Sequence, residues 1–344
     1  MTAARLLYLL SPAKTLDMTL STVEVCSAPQ LLHEVHILLQ ELSQAKVKSL
    51  LGVSDALARL NYQRFQDFAI VVDEKKEADL VPDETHKQAA LSFNGPAYQG
   101  IRFIALAICL AAQELSDKEL QYAQDHLRIL CGLYGILRPL DLIQAYRLEM
   151  GQKFANSRGK DLYAFWGTTL SEQINAYFRE NEVKKEQKVI VNVASQEYFK
   201  SIPLEALDAD IRVIDCVFQD DGKIKSVYAK RARGLMCRYL IQNQVNSIES
   251  IKKFDLEGYI FTTTASNETT FVFNRTAAKQ KQVLKEIQAQ AKLKKEQQLQ
   301  AAATPSVKEE PKKKAKGDTV PEAEDAAENK LPTRVSTRKR RKTE

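Results

Sequence analysis

Apolar and polar positions along this chain change period several times, and each change marks an expected element. Residues 6–10 (LLYLL) are an apolar run closed by Ser11 and Pro12, which predicts a buried first strand followed by a loop presenting Lys14. Residues 31–42 carry apolar side chains at helical spacing, and VKSLLGVSDALARLNYQRFQDF, over 47–68, is two short helical patterns broken at Gly52. Ser116 and Glu119 in SDKE form a capping box that opens a helix through Asp125 toward Leu130. β-Branched runs at 189–193 and 211–218 predict strands, DDGK at 220–223 predicts a hairpin turn into 224–228, and 230–243 reads as a helix. Residues 258–264 and 270–273 read as closing strands, with Arg275 just beyond. The expected fold class is α/β with mixed α+β character, a single body over residues 1–275 in which helices surround a mixed sheet. A helix-hairpin-helix-like element is expected at 46–66, a solvated helix at 276–303 and a disordered basic tail at 304–344.

Two blocks break the apolar pattern with charge. In LRILCGLYGILRPLDLIQAYRLEMG (127–151) and YAKRARGLMCRYL (228–240), Arg138, Arg147, Glu149, Lys230, Arg231, Arg233 and Arg238 stand among Leu, Ile, Tyr and Met. A charge in such company needs a partner or a ligand, and with cations in excess a phosphate is the simplest one. Arg147 and Glu149 alternate with Leu148, so on an extended segment both point to one side; a structural ion pair is the plain alternative. Lys230, Arg231 and Arg233 at a helix start oppose the helix dipole, which implies a nearby anion. VNVASQEYF (191–199) places Asn192, Ser195, Glu197 and Tyr198 after a strand, where they can line a pocket with Glu197 or Glu149 as general acid or base and Arg147 beside them. The plain alternative has Ser195 capping the next helix and Glu197 in its first turn. No GxSxG precedes Ser195, which argues against a hydrolase nucleophile. At the 46–66 hairpin, backbone amides around Gly52 and Ser54 could face one phosphate, flanked by Lys46, Lys48, Arg59 and Arg64. Asp55 counts against that reading, and an ordinary helical hairpin with Ser54 as N-cap is its alternative.

Composition narrows these readings. The chain has 344 residues, 44% hydrophobic, with a formal charge of +6. Residues 276–344 hold 18 Lys and Arg against 10 Asp and Glu, and residues 1–275 hold 32 against 34, so the basic balance belongs to the tail. Cys26, Cys109, Cys131, Cys216 and Cys237 are odd in number and lack CxxC spacing, which reads as reduced thiols in a cytosolic or nuclear protein; Cys131 is the one to watch as a peroxide sensor. His33 and His36 lie three apart but have no thiol or carboxylate motif to complete a site, so no metal and no cofactor is expected. Neither a secretory leader nor a membrane span is expected, since the longest apolar run, 101–112, falls short of the roughly 18 to 20 residues a span needs. The basic runs KKKAK (312–316) and RKRRK (338–342) read as a nuclear import signal for an import receptor, and a merely soluble charged tail is the alternative.

Taken in order, SPAKTLD, FNGPAYQG, LRILCGLYGILRPLDLIQAYRLEMG, LYAFWG, NVASQEYF and YAKRARGLMCRY closely resemble the YaaA peroxide-stress protein family over about residues 5–275. The resemblance implies a cytosolic protein of the hydrogen peroxide response that keeps unincorporated iron low. It also implies one α/β body with a DNA-binding surface that includes a helix-hairpin-helix element, and it leaves enzymatic activity open. Two features depart from the family pattern: RFIALAICLAAQ, an apparent insertion at 102–113, and the basic tail, which suggests a eukaryotic member. The leading expectation is therefore weakly sequence-dependent DNA binding through a cationic cleft of Lys14, Arg138, Arg147, Lys230, Arg231, Arg233 and Arg275, aided by Gly52 and Ser54. The rival is an enzyme acting on a nucleotide or nucleic-acid base.

Overall fold

A computed structural model describes residues 4–20, 23–42, 47–68, 81–98 and 115–303. Lys46, Cys109, the 102–113 segment and the 304–344 tail lie outside the described residues. The body is built on a seven-stranded sheet in the order β4, β3, β1, β6, β7, β9, β8. These strands are β1 (Arg5–Leu10), β3 (Leu127–Cys131), β4 (Gly135–Leu137), β6 (Lys188–Asn192), β7 (Arg212–Asp220), β8 (Ile260–Phe261) and β9 (Thr270–Arg275). The five inner strands run parallel, and β4 and β8 close the two edges antiparallel. A separate two-stranded ribbon pairs β2 (Lys87–Gln88) with β5 (Leu142–Ile143). Parallel strands covered on both faces read as continuous apolar runs. Leu6 to Leu10 of β1 and Leu127 to Cys131 of β3 are accordingly almost wholly buried.

The helices, in chain order, are α1 (Leu32–Leu42), α2 (Val47–Leu51), α3 (Asp55–Gln66), α4 (Ala89–Ser92), α5 (Asp117–His126), α6 (Leu162–Trp166), α7 (Thr169–Glu180), α8 (Gln196–Phe199), α9 (Ser226–Gln242), α10 (Ile248–Ile251) and α11 (Ala277–Ala303). Val35, Leu38, Leu39 and Leu42 form the buried stripe of α1, at the spacing that predicted it. The capping box of α5 is present as read: Ser116 Oγ accepts from the Glu119 amide and Glu119 accepts from the Ser116 amide.

Three expectations are corrected. The helix opened at Ser116 ends at His126, and Leu127–Cys131 is β3, because an all-buried run of five suits a central parallel strand as well as a helix. The turn at 220–223 forms, with Asp220 bridging to Lys223, but residues 224–228 do not return as a strand; α9 begins at Ser226. The body also does not end at Arg275, since Gln280, Val283 and Ile287 of α11 are buried.

Candidate functional site

The sheet order sets where a ligand can sit. From β1 the chain passes to β3 and β4 on one side, then returns to β6 on the other, so neighbouring connections leave β1 and β6 in opposite directions. Such a switch opens a crevice outside the carboxyl ends of parallel strands, where open α/β sheets bind ligands. A crevice of about 330 Å³ lies there. The loop after β1 supplies Ser11, Pro12 and Lys14 to its lining, the residues after β6 supply Ser195, Glu197 and Tyr198, and α9 supplies Lys230 and Arg233.

Hydrogen bonds join the two strand-end loops. The Ser195 amide donates to Ser11 Oγ at 2.8 Å, and Ser11 Oγ donates to Ser195 Oγ at 3.2 Å. Ser195 stands at the N-cap position of α8 but its side chain makes no capping bond, so its hydroxyl serves the crevice rather than the helix. A third loop closes over the first: Tyr98 donates its hydroxyl to Ser11 O at 2.7 Å, and the Asn94 amide donates to Thr15 O at 2.8 Å. A side chain on Gly95 would stand 2.7 Å from Ala13 Cβ, so the two loops touch only because Gly95 has none.

The RLEM segment reaches the same end of the sheet by crossing the end of β3. A Cβ on Gly132 would sit 2.4 Å from Leu148 O, so glycine is required for the crossing. Leu148 and Met150 turn into the core, and Arg147 and Glu149 turn to the other side, as the alternation predicted. Glu149 Oε1 takes Lys14 Nζ at 3.1 Å and Arg147 Nε at 3.2 Å, while Oε2 accepts from Gln152 at 3.0 Å. Burial pushes the Glu149 carboxyl up, but the hydrogen bonds from Gln152 and Lys14 and the charges of Lys14 and Arg147 outweigh it and hold the pKa below the usual value. Glu149 is therefore an ionised anchor for two cations and is poorly set to donate a proton. Glu197 is exposed at the crevice and accepts the Gly151 amide at 3.1 Å through Oε1.

On α9, Lys230 and Arg233 are one turn apart. Neither has a carboxylate partner among the described residues, and the buried Nε of Arg233 has no hydrogen-bond partner there. Burial lowers the Arg233 pKa, which reports a guanidinium held out of water without a counter-charge. The helix-dipole conflict expected for this cluster is absent, because α9 starts at Ser226 and places Lys230 beyond its first turn.

The other expected cations lie elsewhere. Arg138 bonds the fully buried Asp141 and Ala28 O beside the β4 edge. Arg231 pairs with Glu257, and Arg275 pairs with Asp220 at 2.7 Å and with Glu257 at 3.5 Å, a buried four-charge network at the ends of β7 and β9. Asn192 bonds Asp215 at 2.7 Å and the Ala194 amide at 2.9 Å, and so shapes the strand end rather than the crevice. The α2–α3 hairpin forms with Gly52 at φ +60°, but Ser54 caps α3 and Lys48 pairs with Asp55 at 2.7 Å, so a carboxylate stands at the helix start where a phosphate would sit. Ser11, Tyr98 and the 94–97 loop were not singled out from the sequence; their only signal was position, a serine ending the first strand and a Gly-Pro pair in FNGPAYQG. Among the described residues no group of three or more His, Cys, Asp or Glu could hold a metal ion.

A family model described as peroxide stress protein YaaA matches residues 6–265. A UPF0246 protein of Burkholderia thailandensis is 45% identical over 280 residues, covering 79% of this chain and 99% of the relative. UPF0246 proteins of Burkholderia mallei and Burkholderia pseudomallei are 44% identical over the same shares of each chain.

Proposed function

The chain belongs to the peroxide stress protein YaaA family, and from that premise we propose that it serves the hydrogen peroxide response by binding DNA at the rim of the switch-point crevice, limiting iron-dependent damage to the strand it covers. The observation that carries this reading is the pair Lys230 and Arg233, adjacent on one helix face, with no carboxylate partner among the described residues and Arg233 Nε buried without a hydrogen bond. Cations so placed are stabilised by an anion, and backbone phosphate is the anion DNA offers everywhere along its length. Contacts of that kind position a strand without reading its sequence. Lys14 and Arg147, both held by Glu149, extend the positive rim; Arg138, Arg231 and Arg275 are committed to internal carboxylates and take no part. The amides at the start of α3 supply at most a secondary phosphate contact, weakened by Asp55. Entry of the chain into the nucleus through residues 338–342 belongs to the same reading.

The test is duplex binding by the full chain across a salt series, beside Lys230→Ala/Arg233→Ala. Losing two phosphate contacts should weaken binding and reduce the slope of log affinity against log salt by about 2. Unchanged affinity and slope would reject the crevice as the DNA site. A second reading, an enzyme acting on a nucleotide or base, is favoured by Glu197, an exposed carboxylate lining a concave site beside those cations. Its mark is a turnover abolished in Glu197→Gln with duplex affinity retained.

A further inference from the structure

We propose that the crevice holds one nucleoside 5′-monophosphate unit, either free or as a single residue turned out of a strand, with its phosphate on Lys230 and Arg233 and its base edge on Glu197. This rests on the reading of the same two cations as phosphate ligands, and goes beyond it in naming what the cavity itself takes. The cavity measures about 330 Å³, the size of sites that enclose one small molecule, about 300–1,000 Å³. A flat groove along a duplex needs no such depth.

The lining is chemically two-sided. Cations alone would suit any phosphate, but the same cavity includes Glu197, whose charge a bare phosphate would meet as repulsion. Glu197 Oε1 accepts the Gly151 amide, and Oε2 has no hydrogen bond among the described residues. A carboxylate oxygen accepts hydrogen bonds, so a ligand group that meets it there carries an N–H or O–H. The Watson–Crick edge of a base offers such donors. The remaining wall suits a ring: Pro12, Pro96 and the largely buried Tyr98 and Tyr198 line it, apolar surface against which a base can pack. Burial pushes both tyrosine hydroxyls well above their ordinary pKa, so they stay neutral and add no charge against the phosphate. Gly151 sets the carboxylate's place. A Cβ there would stand 3.0 Å from Glu197 Oε1.

A nucleotide could come from solution or from a strand; in a strand, a single base enters such a pocket only when it is unstacked. The experiment uses the full chain with two probes. Calorimetric titration takes the 5′-monophosphates of adenosine, guanosine, cytidine and thymidine, with their nucleosides and inorganic phosphate for comparison. Fluorescence of 2-aminopurine placed in a duplex follows unstacking. The variants are Arg233→Met, which keeps the buried stem, Lys230→Met, on an exposed side chain should the first fail to fold, and Glu197→Gln.

The result expected is that at least one monophosphate binds more tightly than inorganic phosphate, is weakened tenfold or more by the loss of either cation, and is weakened by Glu197→Gln while phosphate is not. If free monophosphates fail to bind but the duplex probe brightens on adding protein, and Arg233→Met and Lys230→Met abolish the change, the unit is strand-borne and the proposal holds. If inorganic phosphate binds as well as every monophosphate and Glu197→Gln changes nothing, the nucleotide assignment is overturned and only an anion site is left. If neither probe responds while duplex affinity still depends on Lys230 and Arg233, the proposal fails and the DNA reading stands. Duplex affinity indifferent to both cations, with neither probe responding, removes the two together.

Discussion

His126 is enclosed by Tyr122, stacked on its ring at 4.1 Å, and by the Leu6 carbonyl at 2.7 Å from Nδ1. Burial lowers its pKa to about 4, despite that carbonyl and the nearby Asp125 charge, which pull the other way. A folded-state pKa below the unfolded value of about 6.5 means the unfolded chain takes the proton first. The contribution of the neutral ring is therefore complete above about pH 6.5 and is lost as the pH falls toward 4, roughly 2.5 kcal/mol by pH 4.5. Unfolding free energies from urea titrations should fall between pH 7 and 4.5 by about that much more in the native chain than in His126→Gln; an equal fall in both would put the acid sensitivity elsewhere. Cys131 gives a second test at this scale. Burial pushes its thiol up to about 12, against hydrogen bonds that lower it, so almost no thiolate exists at neutral pH. Peroxide should oxidise Cys131 no faster than the protein unfolds. A sulfenic acid trapped there in the folded state would restore it as a sensor of peroxide.

At the scale of elements, the buried charges at the ends of β7 and β9 fix how α9 meets the sheet. Glu257 adopts φ +55°, a left-handed backbone unusual for a side-chain-bearing residue, and from it reaches both Arg231 and Arg275. Glu257→Ala would leave Arg231 charged and buried without that carboxylate, a change that costs about 3–5 kcal/mol. Denaturant unfolding should show that loss; a cost under about 1 kcal/mol would mean the network contributes little to holding α9. The same network explains what the text of the chain hid. KRAR announced cations in apolar surroundings, but Arg231 turns to Glu257, which is 26 residues away, while Arg233 faces the crevice, and no spacing rule separates the two. Elements with periodic burial, α1 and α3, were legible because local pattern and burial agree, and β1 because Ser11 and Pro12 close its apolar run. Leu127–Cys131 was not, since five consecutive buried residues carry no period, and neither was the helical start at Ser226, where a turn signal at 220–223 outweighed it. The Arg147–Glu149 pairing was readable from alternation alone; that Lys14 completes it depends on β1 and β3 being neighbours, a tertiary fact.

Across the whole molecule, two separate sources of positive charge could meet DNA, and the fold says how to separate them. The acidic and basic residues of 1–275 nearly cancel, and residues 304–344 hold 12 Lys and Arg against 8 Asp and Glu. Cutting at Arg275 would confuse the two, because it would strip Val283 and Ile287 from the core as well as the tail charges. A stop after Ala303 keeps α11 and removes only the tail. Electrostatic contacts at independent sites add, so the tail deletion and Lys230→Ala/Arg233→Ala should each lower the salt slope by its own amount, and the combined variant by their sum. The crevice contribution of about 2 should survive in the truncated chain. If truncation alone abolishes duplex binding, the tail supplies the affinity, and the crevice is then left to a small ligand whose phosphate Lys230 and Arg233 would hold without any strand attached.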